Sequence, residues 1–160
     1  MGGGFIVDLW IKKSRMFSAT AQYAIRALVE LAKLPKGEMA LGKDIAEQAD
    51  IPTNYLFKVL LTLRHAGLLD AVRGHTGGYR LSKPPNEIFL IDVVELFDGV
   101  RSRPACILDR DRPCQEEGAC AAHPYFKQIR AAYLKFLETT HIGMLVTHKG
   151  GTGGKRIPKP

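Results

Sequence analysis

Cys106, Cys114 and Cys120 are all the cysteines of a 160-residue chain, and they fall within one stretch, "CILDRDRPCQEEGACAAH", that closes on His123. The spacing is C-x7-C-x5-C-x2-H. Thiolates are soft, anionic ligands suited to iron–sulfur clusters, and three of them in an irregular segment can wrap a cluster without a rigid knuckle. Three thiolates and the His123 imidazole also complete a tetrahedral zinc site. The blandest alternative is three semi-exposed thiols in a solvated loop. Asp109, Arg110, Asp111, Arg112, Glu116 and Glu117 fit that picture, but solvation explains the charges and not the clustering of the cysteines.

Other chemistries fit less well. RNA-binding CCCH fingers have one more residue before the histidine and stack bases on aromatics, and no aromatic lies between Cys106 and His123. A Cys–His nucleophile needs an orienting group and an oxyanion hole, and no nucleophile motif is present. "GHTGGY" lacks the Lys-Ser/Thr of a phosphate-binding loop, and His65, His141 and His148 are isolated, so the chain reads as a non-enzyme. An odd cysteine count and a poor secretory signal in "MGGGFIVDLWIKKSRM" point to a reducing cytoplasm rather than to disulfides. Ile6 also spoils a myristoylation match, and no apolar run reaches membrane-spanning length.

The segments that must position these residues are legible from periodicity. "FSATAQYAIRALVELAKL" predicts a helix capped by Ser18 or Thr20, with Tyr23, Ile25, Leu28, Val29, Leu31 and Ala32 at helical spacing, ended by Gly37 after Pro35. "GKDIAEQA" predicts a short second helix with Asp44 near its positive end. "TNYLFKVLLTLRHA" predicts a third, capped by Thr53 or Asn54, with Leu56, Val59, Leu60 and Leu63 buried and Gly67 as its stop. Only "DIPTN" separates the last two, the length of a helix-turn-helix corner. Two strand-like runs, 68–72 and 79–81, then flank a glycine-rich loop with Arg73 and His75. "PPNEIFLIDVVELFDGV" predicts a fourth helix capped near Asn86 or just after it. "PYFKQIRAAYLKFLETTHIGML" predicts a long final helix with Pro124 at its start and Phe126, Ile129, Ala132, Tyr133, Phe136 and Leu137 along one side.

The fold class that follows is mainly α with a small β-hairpin wing: a winged helix-turn-helix domain plus a long C-terminal helix. The expected organisation is an N-terminal extension (1–15), the winged domain (16–83), a linker helix, cysteine loop and long helix (84–147), and a disordered tail (148–160). A net charge of +7 and a pI near 9.5 favour a polyanionic partner. Between Lys58 and Lys83 the basic residues Lys58, Arg64, Arg73, Arg80 and Lys83 face one carboxylate, Asp70. The third helix would enter the major groove of double-stranded DNA N-terminus first, presenting Thr53, Asn54, Tyr55 and Lys58. Arg73 and the wing loop, with His75, Gly77 and Gly78, would reach the backbone and minor groove. A protein–protein adaptor built on the same fold is the alternative.

"YAIRALVELA", "DIAEQADIPTNYLFKVLLTLRHAGLL", "VRGHTGGYRLSKPPNEIFLIDVVELFDG" and the cysteine loop together resemble the winged-helix bacterial regulators typified by IscR, NsrR and RirA, from about Met16 to Val146. The resemblance implies a homodimer paired through its C-terminal helices, reading a pseudo-palindromic operator. It implies in many members an iron–sulfur cluster held by three cysteines, here Cys106, Cys114 and Cys120, with His123 placed like the histidine of IscR. The position matching the partner-subunit acid of NsrR-like proteins is Gln22, a poor ligand. Phe57 stands where IscR-like members carry an acidic, sequence-discriminating residue, so operator preference does not transfer. The family also includes members that sense thiol oxidation or bind a partner enzyme, which keeps zinc and metal-free forms open. The resulting expectation is a cytoplasmic transcription factor, a repressor, whose operator affinity follows a cluster or the redox state of these thiols.

Overall fold

A computed structural model describes residues 16–74, 77–101 and 119–147. The expected extension 1–15 and tail 148–160 lie outside the described residues, as do His75 and most of the cysteine segment.

Helix α1 (Ala19–Ala32) begins where predicted: the Ser18 hydroxyl accepts from the Ala21 N–H at 3.1 Å. Its deepest face is Ala21, Ala24, Ala27, Leu28 and Leu31. Of the predicted stripe, Tyr23, Ile25, Val29 and Ala32 are only partly covered at the margins. The reason is size, since neighbouring helices approach closest over alanines and leave larger side chains at the flanks. The helix ends at Ala32, and Gly37 (φ +92°) serves the turn beyond it instead of stopping the helix.

Helix α2 (Gly42–Gln48) carries Asp44 in its first turn, as expected. It closes in a left-handed cap at Asp50 (φ +51°), with Ile51 N–H donating to the Ala46 carbonyl (2.9 Å) and Asp50 N–H to that of Glu47 (3.2 Å). Helix α3 (Thr53–His65) buries the predicted Leu56, Val59, Leu60 and Leu63. Its N-cap is Pro52, not Thr53 or Asn54, because the Pro52 carbonyl already accepts from Tyr55 and Leu56 N–H at 3.0 Å each.

Strands β1 (Leu69–Val72) and β2 (Gly78–Leu81) pair antiparallel, with Asp70 opposite Arg80 and Val72 opposite Gly78. Leu68 stays outside β1 since its N–H closes α3 on the Leu63 carbonyl (3.0 Å). The hairpin is docked on the body by two bonds between Ala40 and Tyr79, 3.0 and 2.8 Å.

The C-terminal part departs furthest from expectation. Pro85–Glu87 form a 3-10 turn, and α4 (Leu90–Asp98) starts only after Phe89, beyond Asn86. The predicted long helix is divided into α5 (His123–Thr139) and α6 (Ile142–Thr147). One interaction explains both: Leu90 N–H donates to the Thr140 carbonyl and Ile142 N–H to that of Ile88, each at 2.9 Å, so both segments are held extended where they cross.

Ile88, Leu90, Ile91, Val93, Val94, Leu137 and Ile142 join the α1–α3 residues in one continuous core. Tyr133 ties α5 to the start of the described chain, donating to the Met16 carbonyl at 3.1 Å. Burial and then the Asp98 carboxylate push this phenol above its ordinary pKa, which keeps the donated proton in place.

Candidate functional site

On α3 the buried stripe leaves Thr53, Asn54, Tyr55, Phe57, Lys58 and Leu61 exposed. Asn54 Oδ1 accepts from the Tyr55 N–H at 3.1 Å, and the Tyr55 ring lies 6.4 Å from that of Tyr23 on α1. The helix contains no acidic residue. Lys58 makes no ion pair among the described residues, and neither does Arg73, which is exposed just past β1. Arg80, counted with the free basic residues from sequence, instead pairs with Asp70 across the hairpin at 3.2 Å. The result is an acid-free helix face of mixed polar and apolar groups that carries Lys58, beside a wing whose Arg73 makes no ion pair among the described residues.

The wing glycines have an intramolecular cause. Both Gly77 and Gly78 are buried. A Cβ at Gly77 would stand 2.2 Å from the Val72 carbonyl oxygen, and one at Gly78 (φ +155°) 2.6 Å from that of Ala40. Glycine is required for the hairpin to close and to dock. His75, the remaining wing residue singled out from sequence, lies outside the described residues.

A clamp not recognised from the sequence ties the end of α2 to α1. The Arg26 guanidinium, on α1, donates to the carbonyls of Ala49 and of Asp50 (2.8 Å), lies 3.8 Å from the Asp50 carboxylate and stacks over Tyr23 at 5.8 Å. A cation at the carbonyl end of α2 is electrostatically favoured. A charged residue one turn from an aromatic in "YAIRALVELA" was the only available signal.

Of the cysteine segment, Cys120 is exposed and Cys106 and Cys114 lie outside the described residues. Cys120 and His123 are brought within one turn at the start of α5, where His123 N–H donates to the Cys120 carbonyl at 3.0 Å. The other end of the segment is held as well: Arg130 donates to the Val100 and Arg101 carbonyls (3.2 and 3.3 Å), and Arg101 pairs with Glu138 at 3.4 Å. Both stems of the segment are therefore anchored on α5. Gln22, on α1, donates its side-chain amide to the Phe17 carbonyl at 3.0 Å. No group of three potential metal ligands occurs among the described residues.

Three helices, a tight corner and a docked hairpin define a winged helix-turn-helix of the DNA-binding type. The chain belongs to the Rrf2 family, described as iron-dependent transcriptional regulators, which it matches over residues 17–148. It is 32% identical over 127 residues to the HTH-type transcriptional regulator NsrR of Shouchella clausii, covering 79% of this chain and 85% of that one. The structure of CymR, the global cysteine regulator of B. subtilis, is similar at a TM-score of 0.70 and 26% identity, covering 82% of this chain and 96% of that one. T. potens IscR shares the fold at a TM-score of 0.65 and 22% identity, covering 84% and 88%. No helix among the described residues is long and apolar enough to cross a membrane.

Replacing Arg26 by Met keeps the aliphatic stem and removes two charge-assisted hydrogen bonds. Chemical denaturation should show a loss of about 1.5–3 kcal/mol; an unchanged midpoint would mean that the corner holds without the clamp.

Proposed function

We propose that this chain is a cytoplasmic, homodimeric repressor that reads a pseudo-palindromic DNA operator through residues 16–83, its affinity set through residues 84–147 by an iron–sulfur cluster or the redox state of Cys106, Cys114 and Cys120. The observation that carries the DNA reading is the acid-free exposed face of α3 beside Arg73. Asn54 is suited to a base edge, Thr53 and Tyr55 to phosphates, Lys58 to either, and Arg73 to the minor groove. Gly77 and Gly78 contribute by shaping the wing that carries Arg73 and His75.

Pairing is supported by an apolar row on α5. Tyr125 and Ile129 are 70% and 65% exposed, and Phe136 continues the row at helical spacing. The row differs from the one read from sequence, because Leu137 and much of Tyr133 are turned into the chain's own core and are not available to a partner. A second copy presenting the same row would cover it by two-fold symmetry.

For sensing, the donor set fits a cluster: three thiols in one segment, Cys120 exposed, with His123 one turn on. Cys106, Cys114 and Cys120 would be the anionic ligands and His123 a fourth donor; the bound cluster would supply sensitivity to iron, oxygen or nitric oxide. Arg101, Arg130 and Glu138 tie the segment to α5, so a change in its order would bear on how two winged domains are spaced. A metal-free thiol switch is the second reading, favoured by the exposure of Cys120 and by the likeness to the cysteine regulator CymR. Zinc is the remaining metal.

On duplexes selected from a random pool, Asn54→Ala and Arg73→Ala should each weaken specific binding by about 1–3 kcal/mol. Lys58→Ala should lower the salt slope by about one. Unaltered affinity and slope in all three would dismiss this interface. Glu at both Ile129 and Phe136 should yield folded monomers in sedimentation, with weak operator binding; stable dimers would refute the pairing row. Anaerobic reconstitution should load iron and sulfide into the parent and His123→Ala but not into the three Cys→Ala variants, with DNA affinity tracking occupancy. A colourless parent holding one zinc per chain would replace the cluster by zinc, and one holding no metal but changing affinity on oxidation would leave the thiol switch.

A further inference from the structure

The exposed face of α3 also carries two large apolar side chains that the core does not use. Phe57 is 48% exposed and Leu61 50%, one helical turn apart. The buried stripe of Leu56, Val59, Leu60 and Leu63 is complete without them. They interleave with Asn54 and Lys58, themselves one turn apart, so polar and apolar groups alternate over a single surface. Two half-exposed apolar residues on such a surface leave on the order of 100–200 Å² of mostly hydrocarbon surface in water unless a partner covers them.

We propose that Phe57 and Leu61 read thymine 5-methyl groups in the major groove, making part of this regulator's sequence preference apolar. The inference rests on α3 being the recognition helix. In the major groove the thymine methyl is the apolar feature, and it sits beside the hydrogen-bonding edges that Asn54 and Lys58 can engage. The absence of acidic residues from α3 favours a polyanion over another surface.

The Phe57 ring is held for this role. It lies against Gly42, the first residue of α2, where an added Cβ would stand 2.8 Å from Phe57 Cε1, 3.2 Å from Cζ and 3.5 Å from Tyr79 Cε2. Gly42 thus opens a notch between the start of α2 and the wing into which one edge of the ring fits, leaving the other edge outward. A ring fixed before binding loses little rotamer freedom on contact. Leu61, half exposed, follows one turn later on the same helix.

The test uses the whole protein and duplexes selected by it from a random pool. Enriched half-sites should hold thymines at fixed positions. Replacing one of these by deoxyuridine keeps the pairing and removes only the methyl; the parent should bind about fourfold more weakly, the ratio that burying one methylene-sized group supports. In Phe57→Ala one deoxyuridine should become silent and in Leu61→Ala another. Gly42→Ala, which displaces the ring, should silence the Phe57 position and leave the Leu61 position responsive. A parent indifferent to deoxyuridine at every thymine overturns the inference while leaving α3 as the recognition helix, and so does an equal loss in parent and both Ala variants. A pool in which no sequence is enriched overturns the reading of α3 itself.

Discussion

Close approach to α1 is the constraint on which the rest depends. Ala21, Ala24 and Ala27 are fully buried, and α2, α3, α4, α6 and β2 all pack on this helix. A larger side chain at any of the three would force packed elements apart, because a close-packed interior has no slack to absorb it. The helix-turn-helix, the wing and α4, which leads into the cysteine segment, therefore share one support.

The same helix holds the corner between α2 and α3. Arg26 reaches from α1 to the last carbonyls of α2, and Asp50 turns the chain left-handed so that Ile51 can drop into the core and Pro52 can start α3. The wing is fixed from the other direction, by Ala40 bonding Tyr79 and by the absence of a Cβ at Gly78. The α2–α3 corner and the wing are thus each held by backbone carbonyls, groups with exacting directional demands, rather than by side-chain packing alone.

The C-terminal half is organised by the crossing of residues 88–90 over 140–142. That crossing delays α4, breaks the final helix and places Leu137 and Ile142 in the core. What stays outward on α5 is the row from Tyr125 to Phe136, while Arg130 and Glu138 on the same helix grip the stem of the cysteine segment. A single helix accordingly borders the core, the cysteine segment and an exposed apolar row.

Much of this was readable from local signals. The helix-turn-helix, the hairpin, the buried stripe of α3 and the Ser18 cap follow from periodicity, spacing and turn residues, which depend on neighbours in sequence. The cysteine cluster is likewise a fact of spacing, and Leu61 could have been singled out as the leucine that falls off the buried stripe. Other features were decided by partners distant along the chain. The break at Thr140 depends on Ile88 and Leu90, the burial of Leu137 on the core it meets, and the neutralisation of Arg80 on the hairpin register. The notch for Phe57 depends on Gly42 and Tyr79. Periodicity reports which face of a helix is apolar, but which of two apolar rows is buried is determined by the element that arrives to cover it, and only the tertiary structure supplies that element.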